Sequence, residues 1–295
     1  MTARQQDTLD HDDAAAHSGP DGARALVERV DRYCDAAPRL GGRAEEFGPL
    51  TLFVREDGGA PYYARPRPGA GGQPAAADVA AVLERQRELG VPQAFEWIAE
   101  LAPGLRGLLE RAGLAVSEHP LLALSLTDRP APAPAGSGYP VRLVDADAPE
   151  LAEAVAAQYL GFGAPGTAVG AAGTAELAAE AGAREADGTV GRARARLRSG
   201  ATVFAAALHE GRPVAAGQHN PVDGASEIVG VATLPAHRRR GLGLAVTEAL
   251  LADAAARGAR TVFLSASDED VARIYASAGF RPVGTALVAE REDAG

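Results

Sequence analysis

The sequence predicts a mixed α/β protein in which one plan is used twice. Three observations carry this reading: a strand–turn–helix–strand succession in the C-terminal half, a similar succession in the N-terminal half, and a Pro/Ala-rich stretch between them. The chain has 295 residues, which at roughly 150 residues per domain corresponds to about two domains. Hydrophobic residues make up 46% of it, enough apolar material for buried cores.

Residues 1–21 are polar and acidic and read as a flexible tail, followed by a first domain over 22–127. The run TDRPAPAPAGSGYP accumulates Pro, Ala, Ser and Gly without periodicity, so 128–139 reads as a semi-extended linker. The second domain, 140–291, opens with a strand at Val141–Val144 and an apolar-striped helix at Pro149–Tyr159. Ala- and Arg-rich Thr174–Arg198 predicts one or two helices. Thr202–Leu208 and Pro213–His219 read as strands around the Glu210-Gly211 turn, and Glu227–Thr233 as another after Asp223-Gly224. Gly241–Arg257 predicts a helix with Leu242, Val246, Leu250 and Ala254 on one stripe and Gly258 at its end. Thr261–Leu264 is short and wholly apolar, as a strand buried on both faces should be. A helix at Asp268–Ala278, stopped by Gly279, and a strand at Phe280–Val288 complete the order. The two strands flanking Gly241–Arg257 should be parallel, joined by a right-handed crossover.

Ala80–Leu126 shows the same succession as Ala249–Val288. In each, a helix ends at a glycine (Gly90, Gly258), a short strand follows, and a second helix closes on Ala-Gly (Ala112-Gly113, Ala278-Gly279) before a final strand. This predicts a duplicated fold.

Charge and composition narrow the function. A net charge of −10 is an unpromising balance for nucleic-acid binding. All 29 Lys+Arg residues are arginine, which excludes a Schiff-base lysine and a Walker-type phosphate loop. Cys34 is the one cysteine, so no internal disulfide forms, and no Cys/His spacing suggests a metal site. No apolar run reaches the roughly 18 residues needed to span a bilayer. The N-terminus does not read as a secretory signal, and the expected location is cytoplasmic.

The informative segment is Glu227–Val246, EIVGVATLPAHRRRGLGLAV, which leads a strand into a helix through an Arg/Gly turn. Glycines let backbone approach a ligand closely. A helix N-terminus presents unsatisfied N–H groups and a positive dipole end, and three arginines add charge. The arrangement suits a pyrophosphate. It is not the dinucleotide fingerprint, because Val246 stands at the third glycine position.

R-x-x-G-x-G (Arg238, Gly241, Gly243) after a strand ending V-x-T-x-P (Val231 to Pro235) resembles motif A of the GNAT superfamily of acyl-CoA-dependent N-acyltransferases. The later run DEDVARIYASAGF resembles its second signature, a Tyr four residues before a Gly-aromatic helix stop. The resemblance spans about Val141–Glu290. It is much weaker over 23–126, where AGGQPAAA stands in place of the Arg/Gly turn and Leu109 in place of Tyr275. It implies a GNAT fold, a twisted mixed sheet flanked by helices, with a degenerate and catalytically silent N-terminal copy. It implies acetyl-CoA as co-substrate and an amine as acceptor; a net charge of −10 gives no support for a protein substrate, so a small-molecule amine is expected, and no metal. Backbone groups of Val231, Ala232 and Thr233 would align the pantetheine arm. Amides of Arg238, Arg239, Arg240, Gly241, Leu242, Gly243 and Leu244 would hold the pyrophosphate. Tyr275 would face the thioester sulfur as acid, and Asp268 departs from the Asn common in relatives.

Several residues keep two readings. Tyr275 is either the acid or a core aromatic beside Ile274. Glu227 is either the general base or an ordinary strand carboxylate, with His219 and His237 as other bases. The run Arg192–Arg198 is a solvated helix face or a grip for an acidic partner. Phe95 and Trp97 are expected in the core of the silent half. The chain could also bind acyl-CoA without catalysis, or use a longer acyl-CoA or an aminoacyl-tRNA; no motif identifies the acceptor amine.

Overall fold

The protein is described by a computed structural model covering residues 20–127, 129, 138–164 and 166–291. Residues 1–19 of the expected tail lie outside the described residues, and its last two, Pro20 and Asp21, instead open a helix, α1 (Pro20–Arg39). Most of the expected linker also lies outside them. Arg129 is an exception: its guanidinium pairs with Glu248 at 2.7 Å and donates to the Ala278 carbonyl at 3.2 Å.

The described chain forms two compact units, and a single cut at the linker does not separate them. One gathers 20–123 with Ser265–Ala272 and 281–291; the other gathers Leu124–Leu264 and Arg273–Phe280. Spacing along the chain cannot reveal this, because hydrophobic alternation says that a segment is a strand and not which strand it lies beside.

In the first unit α1 precedes β1 (Gly42–Phe47), β2 (Leu50–Arg55) and β3 (Ala64–Pro66). Then come α2 (Ala76–Glu88), β4 (Ala94–Ile98), α3 (Leu105–Arg111) and β5 (Ala115–Ser125). β1–β2 and β2–β3 pair antiparallel and β3–β4 pairs parallel. The next strand beside β4 is the last of the chain, β11 (Arg281–Glu290), antiparallel to both β4 and β5. Phe95, Trp97, Leu105 and Leu109 form the centre of the core with Leu50, Leu52, Val82 and Leu287. Burying side chains of this size contributes about 1.5–3 kcal/mol each.

The second unit runs β6 (Val141–Val144), α4 (Leu151–Phe162), α5 (Thr174–Ala186), α6 (Thr189–Ser199), β7 (Val203–His209) and β8 (Arg212–Val222). It continues with β9 (Ala225–Thr233), α7 (Leu242–Ala256) and β10 (Thr261–Ser265); α8 (Glu269–Ala276) begins in the first unit and belongs to the second from Arg273 on. β6, β7, β8 and β9 are successively antiparallel, and β9–β10 is parallel. The run β7–β10 therefore repeats the pairing of β1–β4, two antiparallel steps and then a parallel one across a helix. Thr174–Arg198 is two helices, and Asp187-Gly188 between them explains the break: Gly188 sits at φ +79°. The stripe Leu242, Val246, Leu250 and Ala254 is buried as the periodicity requires. Gly90, Gly113, Gly258 and Gly279, which end the paired helices of the two halves, all have positive φ.

Candidate acyl-transfer site

β9 is paired with β10 only over Ala225–Glu227, yet it continues to Thr233. Past Glu227 that edge of β9 is outside the ladder. The other edge carries a bulge, where the β8 register shifts between Ala216 and Gln218. Gly230, at φ +66°, produces it. A Cβ there would lie 2.6 Å from Gln158 Nε2, on the α4 side, whereas the next residue, Val231, points to the α7 side against Gly217. Val229 and Gly230 thus spend two consecutive positions on one face, and the strand beyond is re-aimed.

β9 ends at Thr233, and a turn of 3-10 helix, Pro235–His237, leads into the arginines. Arg239 has φ +64° and Gly241 φ +71°, two left-handed residues that curl the backbone before α7 starts at Leu242. Gly241 is the N-cap and no side chain caps the helix. The first N–H groups of α7 are therefore left for a ligand or water. A Cβ on Gly243 would stand 3.8 Å from Val231 Cγ1 and 3.9 Å from Thr233 Oγ1, so the strand end and helix start converge. The matching helix of the first unit, α2, differs: the Asp78 carboxylate accepts from the Ala75 N–H at 2.8 Å and occupies that helix start itself.

The three arginines divide their work. Arg238 does not add a free charge to the turn. Its guanidinium donates to the carbonyls of Gly161 (2.7 Å), Ala164 (2.6 Å) and Ala168 (3.1 Å), pinning the segment after α4. Backbone bonds between Gly170 and Pro235 and between Ala236 and Ala172 fix the same segment. Arg240 reaches the Tyr139 hydroxyl. Arg239 is exposed and has no partner among the described residues. The sequence named the amides of this turn; it did not show that Arg238 is a strut, because nothing local marks 161–168 as its partner.

Glu227 is the third residue of β9, not its first, half-buried opposite Asn220 and Phe263 at the last rung shared with β10. Ser226 faces α7, so strand alternation turns Glu227 to the α4 face. His219 is excluded as a base: it is 0% exposed, with Nδ1 against Ser226 Oγ at 2.7 Å and Nε2 against Asp253 at 2.9 Å. Burial holds its pKa below the usual value despite Asp253, which also pairs with Arg257. This chain of polar contacts ties α7 to β8 and β9. His237 packs on His209, ring centroids 5.2 Å apart, and its pKa is held below the usual value by burial first, with the neighbouring His209 and Arg240 acting in the same direction.

Tyr275 lies on α8 with its ring edge-on to Phe280 at 5.9 Å, and burial pushes its phenol up to about 12. It is a protonated donor at neutral pH, and its hydroxyl has no partner among the described residues. Asp268 accepts the Val271 N–H at 2.9 Å as the cap of α8, which accounts for a carboxylate at that position. Leu109, its counterpart to Tyr275 in the first unit, is a fully buried core residue. The arginines of α6 are spent locally: Arg192 on Thr189, Arg194 on the Ala146 carbonyl, Arg198 on Asp147.

The described helices include none long and apolar enough to cross a membrane, and no cluster of metal-ligating side chains occurs among the described residues. An uncapped helix start beside a strand edge outside its ladder is a geometry suited to an anion. Residues 174–280 match the model of the Acetyltransferase (GNAT) family, a GNAT domain over that stretch. Among solved structures the chain is similar to a GCN5-related N-acetyltransferase from Kribbella flavida. Identity is 25%, the match covers 92% of this chain and 96% of that one, and the TM-score is 0.66. It also shares its fold with a tandem GNAT protein from the clavulanic acid biosynthesis pathway, at 17% identity over 92% of this chain and 97% of that one, TM-score 0.51. No curated protein matches the sequence.

Proposed function

We propose that the chain transfers an acetyl group from acetyl-CoA directly to a primary amine of a small molecule. The observation that carries this reading is the uncapped start of α7 behind the left-handed pair Arg239 and Gly241, facing the edge of β9 that leaves β10 after Glu227. Two kinds of recognition fit there: N–H groups for a diphosphate, and a strand edge for an amide-bearing arm.

Amides from Arg239 to Leu244 grip the diphosphate, the Arg238 N–H being donated instead to the Pro235 carbonyl at 3.4 Å, and this grip supplies remote binding energy that positions the acetyl carbon. Backbone groups of Val231, Ala232 and Thr233 align the pantetheine, and an N–H there stabilises the oxyanion formed on attack. A primary amine with pKa near ~10 is ammonium at neutral pH, so a base must take its proton; Glu227 is assigned that role. Tyr275, kept protonated by burial, donates to the departing thiolate. Transfer is direct, since Cys34 lies on α1 in the other unit.

Incubating the protein with acetyl-CoA and a panel of small amines while following free thiol tests the proposal. Amine-dependent thiol release is expected. Binding of CoA without any such release would leave a binding module and refute the transfer reaction.

A further inference from the structure

The first unit holds a cavity of about 450 Å³ that no part of the acyl-transfer reading uses. It opens beyond the C-terminal ends of β3 and β4, in front of α2, at Pro66, Trp97 and Pro74. These two strands are the parallel pair of that unit, and the crevice past the carboxyl ends of parallel strands is where α/β folds place ligands. A diphosphate is not the occupant, because Asp78 already fills the start of α2.

The lining states what the occupant must offer. Its floor is apolar, formed by Trp97, Ile98 and Ala102, all 3% exposed or less. Most of its charged residues are committed: Asp31 to Arg65 at 2.7 Å, Glu28 to Arg24 at 3.1 Å, and Arg67 to Glu46. Three polar side chains are left, and Arg32 is the one among them that carries a charge; the exposed Gln73 amide offers both a donor and an acceptor. The indole N–H of Trp97 is buried without an acceptor, and the exposed guanidinium of Arg32 has no ion pair among the described residues. An apolar floor beside an arginine with no ion pair fits a ligand with an apolar body and an anionic acceptor.

We propose that this cavity is a binding site for a small apolar monocarboxylate, its carboxylate on Arg32 and its hydrocarbon on the Trp97 face. The site is independent of the acyl-transfer reading and stands or falls apart from it.

Trp97 is the sole tryptophan, so its emission reports occupancy of the cavity in the full-length protein. Phenylacetate and hexanoate serve as probes, with phenethylamine and 2-phenylethanol as cationic and neutral counterparts. At least one carboxylate is expected to change the emission saturably, the amine and alcohol not. Arg32→Ala, at an exposed position, should weaken the carboxylate by about tenfold or more, with the melting temperature unchanged, and Arg32→Lys should recover part of it. Saturating CoA should leave carboxylate binding intact. No response to either carboxylate, equal binding of the counterparts, wild-type affinity in Arg32→Ala, or displacement by CoA would each overturn the proposal.

Discussion

Gln158 Nε2 donates to the carbonyl of Gly230 at 2.8 Å and fills the space where a Cβ on that glycine would stand. One amide therefore holds the bulge that re-aims β9. Gly230→Ala meets both a left-handed φ and this amide, and should destabilise the protein by about 1–3 kcal/mol. Thermal melting checks the loss of stability. Thiol-release activity should fall further than the change in stability explains, because the edge at Val231–Thr233 moves.

Arg238 and Arg239 should separate cleanly although they are neighbours. Arg238→Ala leaves the Gly161 and Ala164 carbonyls without their donor and should cost about 1–3 kcal/mol in denaturant unfolding. Arg239→Ala should melt as the wild type while CoA affinity, read by calorimetry, drops and loses part of its salt dependence.

Gly241 has open space around it, so its requirement is conformational: only its φ of +71° is at stake. Gly241→Val should remove the calorimetric signal for CoA while the protein remains folded. Unchanged CoA binding would refute the role given to this turn.

Tyr275→Phe should lower kcat by about 10²-fold and leave the KM for acetyl-CoA unchanged, the signature of an acid acting on the leaving group. A loss confined to cofactor affinity would contradict that role. With the phenol at about 12, no limb of the pH–rate profile below pH 10 should belong to it.

His219 carries a pH dependence of stability. Its folded pKa lies below the unfolded value of about 6.5, so the unfolded chain binds the extra proton. Its contribution is intact above about pH 6.5 and is lost as pH falls toward the folded pKa. Melting temperatures of wild type and His219→Gln measured from pH 7.5 to 5.5 should show a steeper decline in the wild type. Parallel curves would show that the imidazole stays out of the titration.

Much of this molecule was legible before its fold was known. The crossover helix after the Arg/Gly turn, the parallel strand following it and the glycines that end the helices all follow from local periodicity and left-handed backbone. What stayed hidden is non-local. The placement of β11 beside β4 depends on a neighbour nearly 200 residues away. The commitment of Arg238 to carbonyls of 161–168 has no sequence signature. Gly230 did leave a signal, a lone glycine inside an apolar strand, which marks a bulge or a close approach. His219 looked like a candidate base because a strand-end histidine gives no sign of being buried between Ser226 and Asp253.

The most direct measurement is a crystal structure after soaking with acetyl-CoA. Density for the diphosphate should lie against the backbone N–H groups from Arg239 to Leu244, with the pantetheine running along β9 at Val231–Thr233. A diphosphate bound elsewhere, or a helix start that stays empty at saturating ligand, would contradict the assignment of α7 as the coenzyme grip.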